Sequence, residues 1–419
     1  MNEKNPDEIH YRRQAFKLFD KGKSTAHILK KIPRSRSWLF KWKRRFQQGG
    51  WETADSLSKT AKHLPHQYDP ETRKTVLRVR QRLEKQKVGL VGWRAVVTEL
   101  RRHRLVKHLP SVSTIKRWLK EAAGGGAKGP AEKKIYYPAG RFDDEILFAS
   151  VDWIARYITG GAKVFVFHTV DLQTHALSQS IAPNKNTSAA CAHLVQSLRE
   201  LGVIDFLQLD NDAAFTGLGK KERLFGHFVR VALYFGVELI FIPPGEPKRN
   251  AVVERVNGLW ARAFWDKNHC ASVNEVRRKS GKFMAWYWEY APPSLAGQTV
   301  RQADRHTKHR KLTVKQGAQV TDTLPVTEGR IHYIRRVDDV GVIEILKEKF
   351  KVSKSLRGQY VWATVDLRKQ SLSFFYRRSA KSRAMKLKEF AYEIEEPIAN
   401  LQPCYKRHGR TRVNIREII

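Results

Sequence analysis

Three acidic residues stand where their chemistry would count. Asp152 interrupts the apolar run ASVDWIA, Asp210 ends the short apolar run DFLQLD, and Glu254 lies in RNAVVERVNGLWARAFW, which has helical spacing. Two-metal phosphodiester chemistry needs several carboxylates converging from different elements, holding divalent ions ~3.5–4 Å apart. Asp152, Asp210 and Glu254 are therefore candidate catalytic carboxylates and ligands for two Mg2+ or Mn2+ ions. Each acid has a plainer reading on its own. Asp152 could pair with an arginine at a strand end, Asp210 could cap a turn, and Glu254 could be a solvated helix residue. Together they fall where one site would need them.

The elements that would position them can be read over residues 146–265. ILFASVDWIA, KVFVFHTVD and THALSQSIA read as three consecutive strands, parted by Gly160-Gly161 and Leu172-Gln173. NTSAACAHLVQSLREL follows as a helix capped by Asn186 or Thr187. DFLQLD has the continuous apolar character of a buried parallel strand. A helix over 224–235, the strand VELIFIP and the long helix around Glu254 complete the order βββαβαβα, that of a ribonuclease-H-like α/β core over 141–295. In such a sheet the first and fourth strands are neighbours, which brings Asp152 and Asp210 together beneath the Glu254 helix.

The flanks have another character. The chain of 419 residues carries a net charge of +38. Residues 1–140 contain 34 Lys and Arg against 12 Asp and Glu, residues 141–300 contain 18 against 16, and residues 301–419 contain 27 against 13. Two basic arms thus flank a nearly neutral middle, and such charge points to a polyanionic partner, most simply double-stranded DNA. Residues 8–55 predict three short helices, with Ser24 and Ser35 as caps and Gly49-Gly50 as the stop, in a helix-turn-helix pattern. Leu39, Trp42 and Phe46 should face the core. Arg36, Ser37, Lys41, Lys43, Arg44 and Arg45 lie largely off that stripe, free for phosphates or base edges. Residues 68–123 predict a second helical DNA-binding module, its last helix capped by Ser113; a helical spacer is the plainer alternative. Residues 324–380 predict about five short strands and a small SH3-like β-barrel. The fold class expected is multidomain: all-α helix-turn-helix modules, an α/β core and a C-terminal barrel. Glu121–Pro130 and the polar stretch 301–323 read as linkers, and the basic segment 379–419 as partly disordered.

The sequence resembles insertion-sequence DDE transposases with a retroviral-integrase-type catalytic core. The resemblance rests on LFASVDWI, FLQLDNDAAF and FIPPGEPKRNAVVERVNGLW, and the flanking helices and strands fit the same layout over about residues 8–380. It implies a Mg2+-dependent polynucleotidyl transferase with Asp152, Asp210 and Glu254 as ligands, and with Asn211, Lys248 and Arg255 near the DNA. It implies water attack at an element end followed by strand transfer of the freed 3′-hydroxyl, and a homo-oligomer that pairs element ends with target. Two departures stand out. Asp212 occupies a place where the family usually has glycine. The interval from Asp210 to Glu254 exceeds the family's usual spacing of about 35 residues between such ligands, with TGLGKKERLFG (216–226) as the inserted stretch, either a DNA-contacting loop or a surface excursion.

A catalytically decayed DNA-binding relative is the alternative, and Asp212 is the feature that favours it. A plain nuclease would leave the basic arms unexplained, and a helix-turn-helix regulator would leave the acids unexplained. The three cysteines, Cys191, Cys270 and Cys404, form no CxxC pair, which argues against zinc ribbons and disulfide frameworks. The histidines 168, 175, 193 and 227 lack ligand spacing and read as structural or surface residues. No apolar run approaches the ~18 residues of a membrane span, and the N-terminus lacks the apolar region of a secretory signal. The expected setting is cytoplasmic and nucleoid-associated.

Overall fold

The first three helices show how local chemistry sets the chain's course. Ser24 and Ser35 cap α2 (Thr25–Lys31) and α3 (Arg36–Gly49), accepting from the amides of His27 and Trp38, after α1 (Pro6–Asp20). Gly50, with φ of 57°, ends α3 in a conformation that costs glycine little. Ala15, Phe16, Ile28, Ile32, Leu39 and Trp42 form the core, with Leu18, Phe19 and Phe46 packed against it. Glu8 ties α1 to the α2–α3 turn: its carboxylate accepts from Arg34 Nε and Nη2 and, at 2.6 Å, from Trp38 Nε1.

The computed structural model describes residues 6–54, 68–122, 135–143, 145–217, 222–304, 311–321, 323–405, 416 and 419. Most of the expected linker 121–130, the tip of the inserted stretch and parts of 301–323 and 379–419 lie outside the described residues. The chain forms two compact units, Met1–Pro70 and Glu71–Ile419.

In the second unit α4 (Pro70–Lys85), α5 (Trp93–Arg102) and α6 (Val112–Glu121) precede the sheet. The cap of α6 is Ser111, which accepts from Thr114 N, so its first turn starts two residues earlier than the expected Ser113 cap. These helices are joined to the core by its own hydrogen bonds. The amide of Gly89 donates to Ala263 O, and Lys267 Nζ reaches Gly89 O at 2.9 Å.

The core follows the predicted order: β1 (Phe148–Tyr157), β2 (Lys163–Asp171), β3 (Leu177–Ala182), α7 (Thr187–Glu200), β4 (Phe206–Leu209), α8 (Ala213–Thr216), α9 (His227–Tyr234), β5 (Glu238–Phe241) and α10 (Ala251–Ala263). Asn186 is the cap of α7. β1, β2 and β3 pair antiparallel, whereas β1, β4 and β5 pair parallel. Leu147, Ala149 and Val151 of the β1 region pack with α7 and α9 on one face. Ile146 and Phe148 point to the other. There α10 and α11 (Val273–Trp288) cover Val164, Val166 and Val170.

The C-terminal region departs from expectation. Beyond α12 (Val300–Asp304), α13 (Val314–Gly317) and β6 (Val326–Thr327) come β7 (Arg330–Arg336), β8 (Val342–Ile345), β9 (Glu348–Lys351), β10 (Tyr360–Asp366), β11 (Ser371–Tyr376), β12 (Met385–Ala391) and β13 (Ile398–Ala399). All five expected strands form, but they do not close a separate SH3-like barrel. β7 pairs parallel with β5, Leu239 opposite Ile331 and Phe241 opposite Tyr333. The result is a nine-stranded sheet in the order β12-β11-β10-β7-β5-β4-β1-β2-β3, with β8–β9 a separate hairpin. The reason is burial: β7 is buried on both faces from Arg330 to Arg335, the mark of a central strand rather than a half-wet barrel strand. Residues 385–391, in the segment 379–419 expected to be partly disordered, form strand β12.

A buried polar cluster secures the β5–β7 seam. Glu238 accepts from Arg330 Nε and from His332 Nε2, and His332 Nδ1 accepts from Trp362 Nε1 and Thr364 Oγ1. Burial opposes the charge on Glu238, but the His332 hydrogen bond and the Arg330 charge outweigh it and hold the carboxyl down at about 2.

Candidate active site

The register of the parallel pair β1/β4 sets Ser150 beside Gln208. Two residues further along each chain stand Asp152 and, just past the carboxyl end of β4, Asp210. Side chains alternate across a strand, so both acids belong to the face of Phe148 and Phe206, the face that α10 covers. Two asparagines of the α10 region clamp that helix to β1. Asn250 donates from Nδ2 to Val151 O at 3.0 Å, and Asn257 donates from Nδ2 to Asp152 Oδ2 at 2.8 Å. Residues 250, 254 and 257 share one helical face, so Glu254 is bracketed by the two clamps. The charges of Asp210 and Glu254 both act on Asp152. Asp152 thus lies within electrostatic reach of both other predicted acids.

Burial is the main reason the Asp152 carboxyl is pushed up to about 7. The charges of Asp210 and Glu254 add to it, and hydrogen bonds from the Trp153 amide and Asn257 oppose it. Asp210 is also raised, chiefly by burial, with the Asp212 charge adding and Lys185 opposing. Carboxylates gathered with this excess of negative charge are what a divalent cation neutralises. An all-oxygen donor set fits Mg2+ or Mn2+. Among the described residues no three His, Cys, Asp or Glu are drawn close enough together to hold an ion as they stand. The acids form an open constellation rather than a closed cage.

A chain of hydrogen bonds fixes Asp152 from behind. Asn257 Oδ1 accepts from His168 Nδ1 at 2.6 Å, and His168 Nε2 accepts from Gln179 Nε2 at 2.7 Å. His168 lies directly across from Asp152 on β2, and its complete burial holds it at about 4, so the ring is neutral. His193 is buried too, between Thr169 and Ser180.

Asp212 has a definite role where glycine was expected. It caps α8, accepting from the Ala214 amide at 2.9 Å, and its own amide donates to Asp210 Oδ1 at 3.0 Å. Its other oxygen meets Lys185 Nζ at 3.0 Å, and that ammonium sits 4.1 Å from the Trp153 ring centroid. Asn211 is held at both ends. Its Nδ2 donates to Ile242 O, and its Oδ1 accepts from Arg335 Nη2 at 2.8 Å. Arg335 comes from β7 and is buried, which lowers it to about 10; its other donors reach the carbonyls of Ile242, Ile334 and Glu344. The inserted stretch pinches at its base, where a Cβ on Gly217 would meet Gly226 Cα at 2.5 Å. Arg223, within the stretch, forms a paired contact with Glu348 of β9.

The predicted DNA-contact residues divide into three places. Arg36, Ser37, Lys41 and Arg44 are exposed on α3, and Lys43 and Arg45 are half-exposed, Arg45 lying over the Trp42 ring. Lys248 lines a cavity of about 510 Å³ with Tyr137, Phe142, Phe148, Gln208 and Arg249. Arg255 points elsewhere, into a separate cavity on the next stripe of α10. The sequence reading missed Asn250, Asn257, Lys185 and Arg335. The two asparagines could have been found from their helical spacing about Glu254. Lys185 and Arg335 carry no local signal.

No protein-family profile matches the sequence, and no curated protein matches it. Solved structures that it resembles include retroviral integrases. The HTLV-2 integrase catalytic core domain in complex with magnesium is 17% identical, over 38% of this chain and 95% of that one, with a TM-score of 0.29. A simian T-cell lymphotropic virus intasome in complex with PP2A regulatory subunit B56 gamma is 13% identical, over 72% of this chain and 95% of that one, with a TM-score of 0.34. The catalytic core domain of BIV integrase is 14% identical, over 37% of this chain and 90% of that one, with a TM-score of 0.26. Among the described residues no helix is long and apolar enough to cross a membrane.

Proposed function

We propose that this chain is a DDE-type transposase or integrase that cuts DNA at element ends and joins the freed strand to target DNA. The observation that carries this reading is that Asp152 of β1 feels the charges of both Asp210, just past the end of the parallel neighbour β4, and Glu254, on the helix that Asn250 and Asn257 fasten to β1. Asp152, Asp210 and Glu254 would hold divalent cations, which, when bound, supply a lowered pKa to the attacking oxygen and charge neutralisation to the leaving one.

This chain's own residues set the geometry. The Trp153 amide and Asn257 Nδ2 each donate to one Asp152 oxygen, fixing the plane of the carboxylate. The neutral His168 keeps Asn257 from turning its amide over, because Oδ1 must stay toward Nδ1–H. The Asp212 amide orients Asp210. Lys185, held between Asp212 and Trp153, would be a candidate to meet a phosphate. In the first step water breaks a P–O3′ bond and leaves a 3′-hydroxyl and a 5′-phosphate. In the second that 3′-hydroxyl attacks a target phosphodiester, forming one P–O3′ bond and releasing another 3′-hydroxyl. The helices of residues 8–55 and 68–123 would bind the element ends, α3 offering Arg36, Ser37, Lys41, Lys43, Arg44 and Arg45 in a helix-turn-helix manner. Pairing two ends requires a homo-oligomer on DNA.

A DNA-binding relative that no longer cuts is the second reading, favoured by Asp212 and by the open spacing of the acids. Full-length protein incubated with labelled duplexes of the DNA flanking its gene separates the two. Cleavage that needs Mg2+ or Mn2+ and is lost in Asp210→Asn is the expected result. Binding of the same duplexes without cleavage in either metal supports the second reading.

A further inference from the structure

The stripe of α10 next to the one bearing Glu254 carries Val252, Arg255, Leu259 and Arg262 at helical spacing. It forms one wall of a cavity of about 380 Å³, closed by Leu90, His175, Tyr287, Tyr290, Pro292 and Pro293. No acid lines it. Among the described residues neither Arg255 nor Arg262 has an ion-pair partner, and Arg94 of α5 joins them close enough to Tyr290 for all three charges to act on its hydroxyl. The walls are fixed. His175 holds a left-handed conformation, φ 60°, with its Nε2 2.7 Å from Ser294 Oγ, and its carbonyl accepts from Tyr287 Oη at 3.0 Å. Gly258, inside the helix, leaves room for a guanidinium: a Cβ there would stand 3.1 Å from Arg262 Nη1. Glycine is an unfavourable residue in the middle of a helix, and here it lets Arg262 lie against the helix.

Guanidinium forks and a tyrosine hydroxyl around a partly apolar pocket match a tetrahedral oxyanion. We propose that this cavity is a phosphate site, filled in the working protein by a backbone phosphodiester of bound DNA. Only the source of the phosphate rests on the reading of the chain as a DNA-processing enzyme. The site would extend the grip on DNA from α5 to the helix that bears Glu254.

The test uses the full-length protein and inorganic pyrophosphate as probe, by calorimetry, alongside the salt dependence of duplex binding. Three variants are compared: Arg255→Gln/Arg262→Gln, Arg255→Lys/Arg262→Lys, which keeps the charge and loses the forks, and the charge-matched control Arg368→Gln/Lys369→Gln on an exposed turn. The Gln pair should weaken pyrophosphate binding by about a hundredfold, roughly tenfold for each charged hydrogen-bonding partner lost. The Lys pair should weaken it severalfold, and the control should leave it unchanged. The slope of log K against log salt should fall by about 2 in the Gln pair, roughly 0.9 per phosphate contact. Pyrophosphate binding lost with the slope no different from the control would keep the phosphate site and overturn DNA as its source. Pyrophosphate binding equal in the Gln pair and the control would overturn the site itself. Neither result depends on strand cleavage, so failure here and failure of the proposed reaction are told apart.

Discussion

Replacing Asp152 by asparagine should stabilise the metal-free protein at alkaline pH. The Asp152 carboxyl moves from an ordinary 3.8 in the unfolded chain to about 7 in the folded one, first through burial and then through the charges of Asp210 and Glu254. A raised carboxyl favours the folded state while it is protonated. That stability is present below about pH 4 and is lost as pH rises through 7. Linkage puts the loss between pH 5 and pH 8 at about 3 kcal/mol. Asparagine cannot ionise and does not suffer it. The substitution also turns one accepting oxygen into a donor against Asn257 or the Trp153 amide, a cost that is the same at both pH values and cancels in the comparison. Urea unfolding in EDTA at pH 5 and pH 8, for wild type and Asp152→Asn, measures the difference directly. The variant should gain about 3 kcal/mol on wild type between the two. Saturating Mg2+ at pH 8 should stabilise wild type and close much of the gap. A variant whose relative stability does not change with pH would show that Asp152 does not ionise in a buried, negatively charged setting, and the site as described would fail.

Other consequences can be checked separately. Asp212→Gly removes the α8 cap side chain, at a cost of only a few tenths of a kcal/mol because glycine caps nearly as well, and removes a charge that raises Asp210. Thermal unfolding should fall by no more than about a degree, and the pH profile of cleavage should move to the acid side. Glu238→Gln breaks the buried contact with Arg330 and His332 and should cost roughly 3–5 kcal/mol at neutral pH. Because Glu238 is held down at about 2, its stabilisation is present above about pH 4.5 and lost as pH falls toward 2. The variant's acid-unfolding curve should therefore be flatter than that of wild type. Lys41→Gln with Arg44→Gln should lower the salt-dependence slope of end binding by about 2 without changing the unfolding of either unit. An unchanged slope would remove α3 from the DNA interface.

The elements of the α/β core were legible because their signals are local. The apolar runs of β1, β4 and β5 and the caps Ser24, Ser35 and Asn186 follow from short stretches of sequence. The neighbourhood of β1 and β4 came instead from the order of elements over 146–265, which matches a known sheet. The C-terminal sheet was not legible. RIHYIRR and YVWATVD read equally well as barrel strands, since a strand's sequence does not name its partner. What decides the matter is that the edge of β5 accepts β7 and that Glu238, Arg330 and His332 then satisfy one another in the interior. The same long-range join delivers Arg335 to Asn211, a contact 124 residues apart that no spacing rule reaches. Asp212 looked like a defect against the family pattern. In three dimensions it has a cap to make and a lysine to hold.

The central claim is that Asp152, Asp210 and Glu254 form one site for DNA strand transfer, and a mobility assay in cells tests it most directly. The gene, with its native flanking DNA and a selectable marker, is carried on a donor plasmid, and transfer to a second replicon is scored for wild type and Glu254→Gln. The account predicts transfer by wild type and its abolition by the glutamine variant, with both proteins present at equal levels. Equal transfer by the two would contradict it.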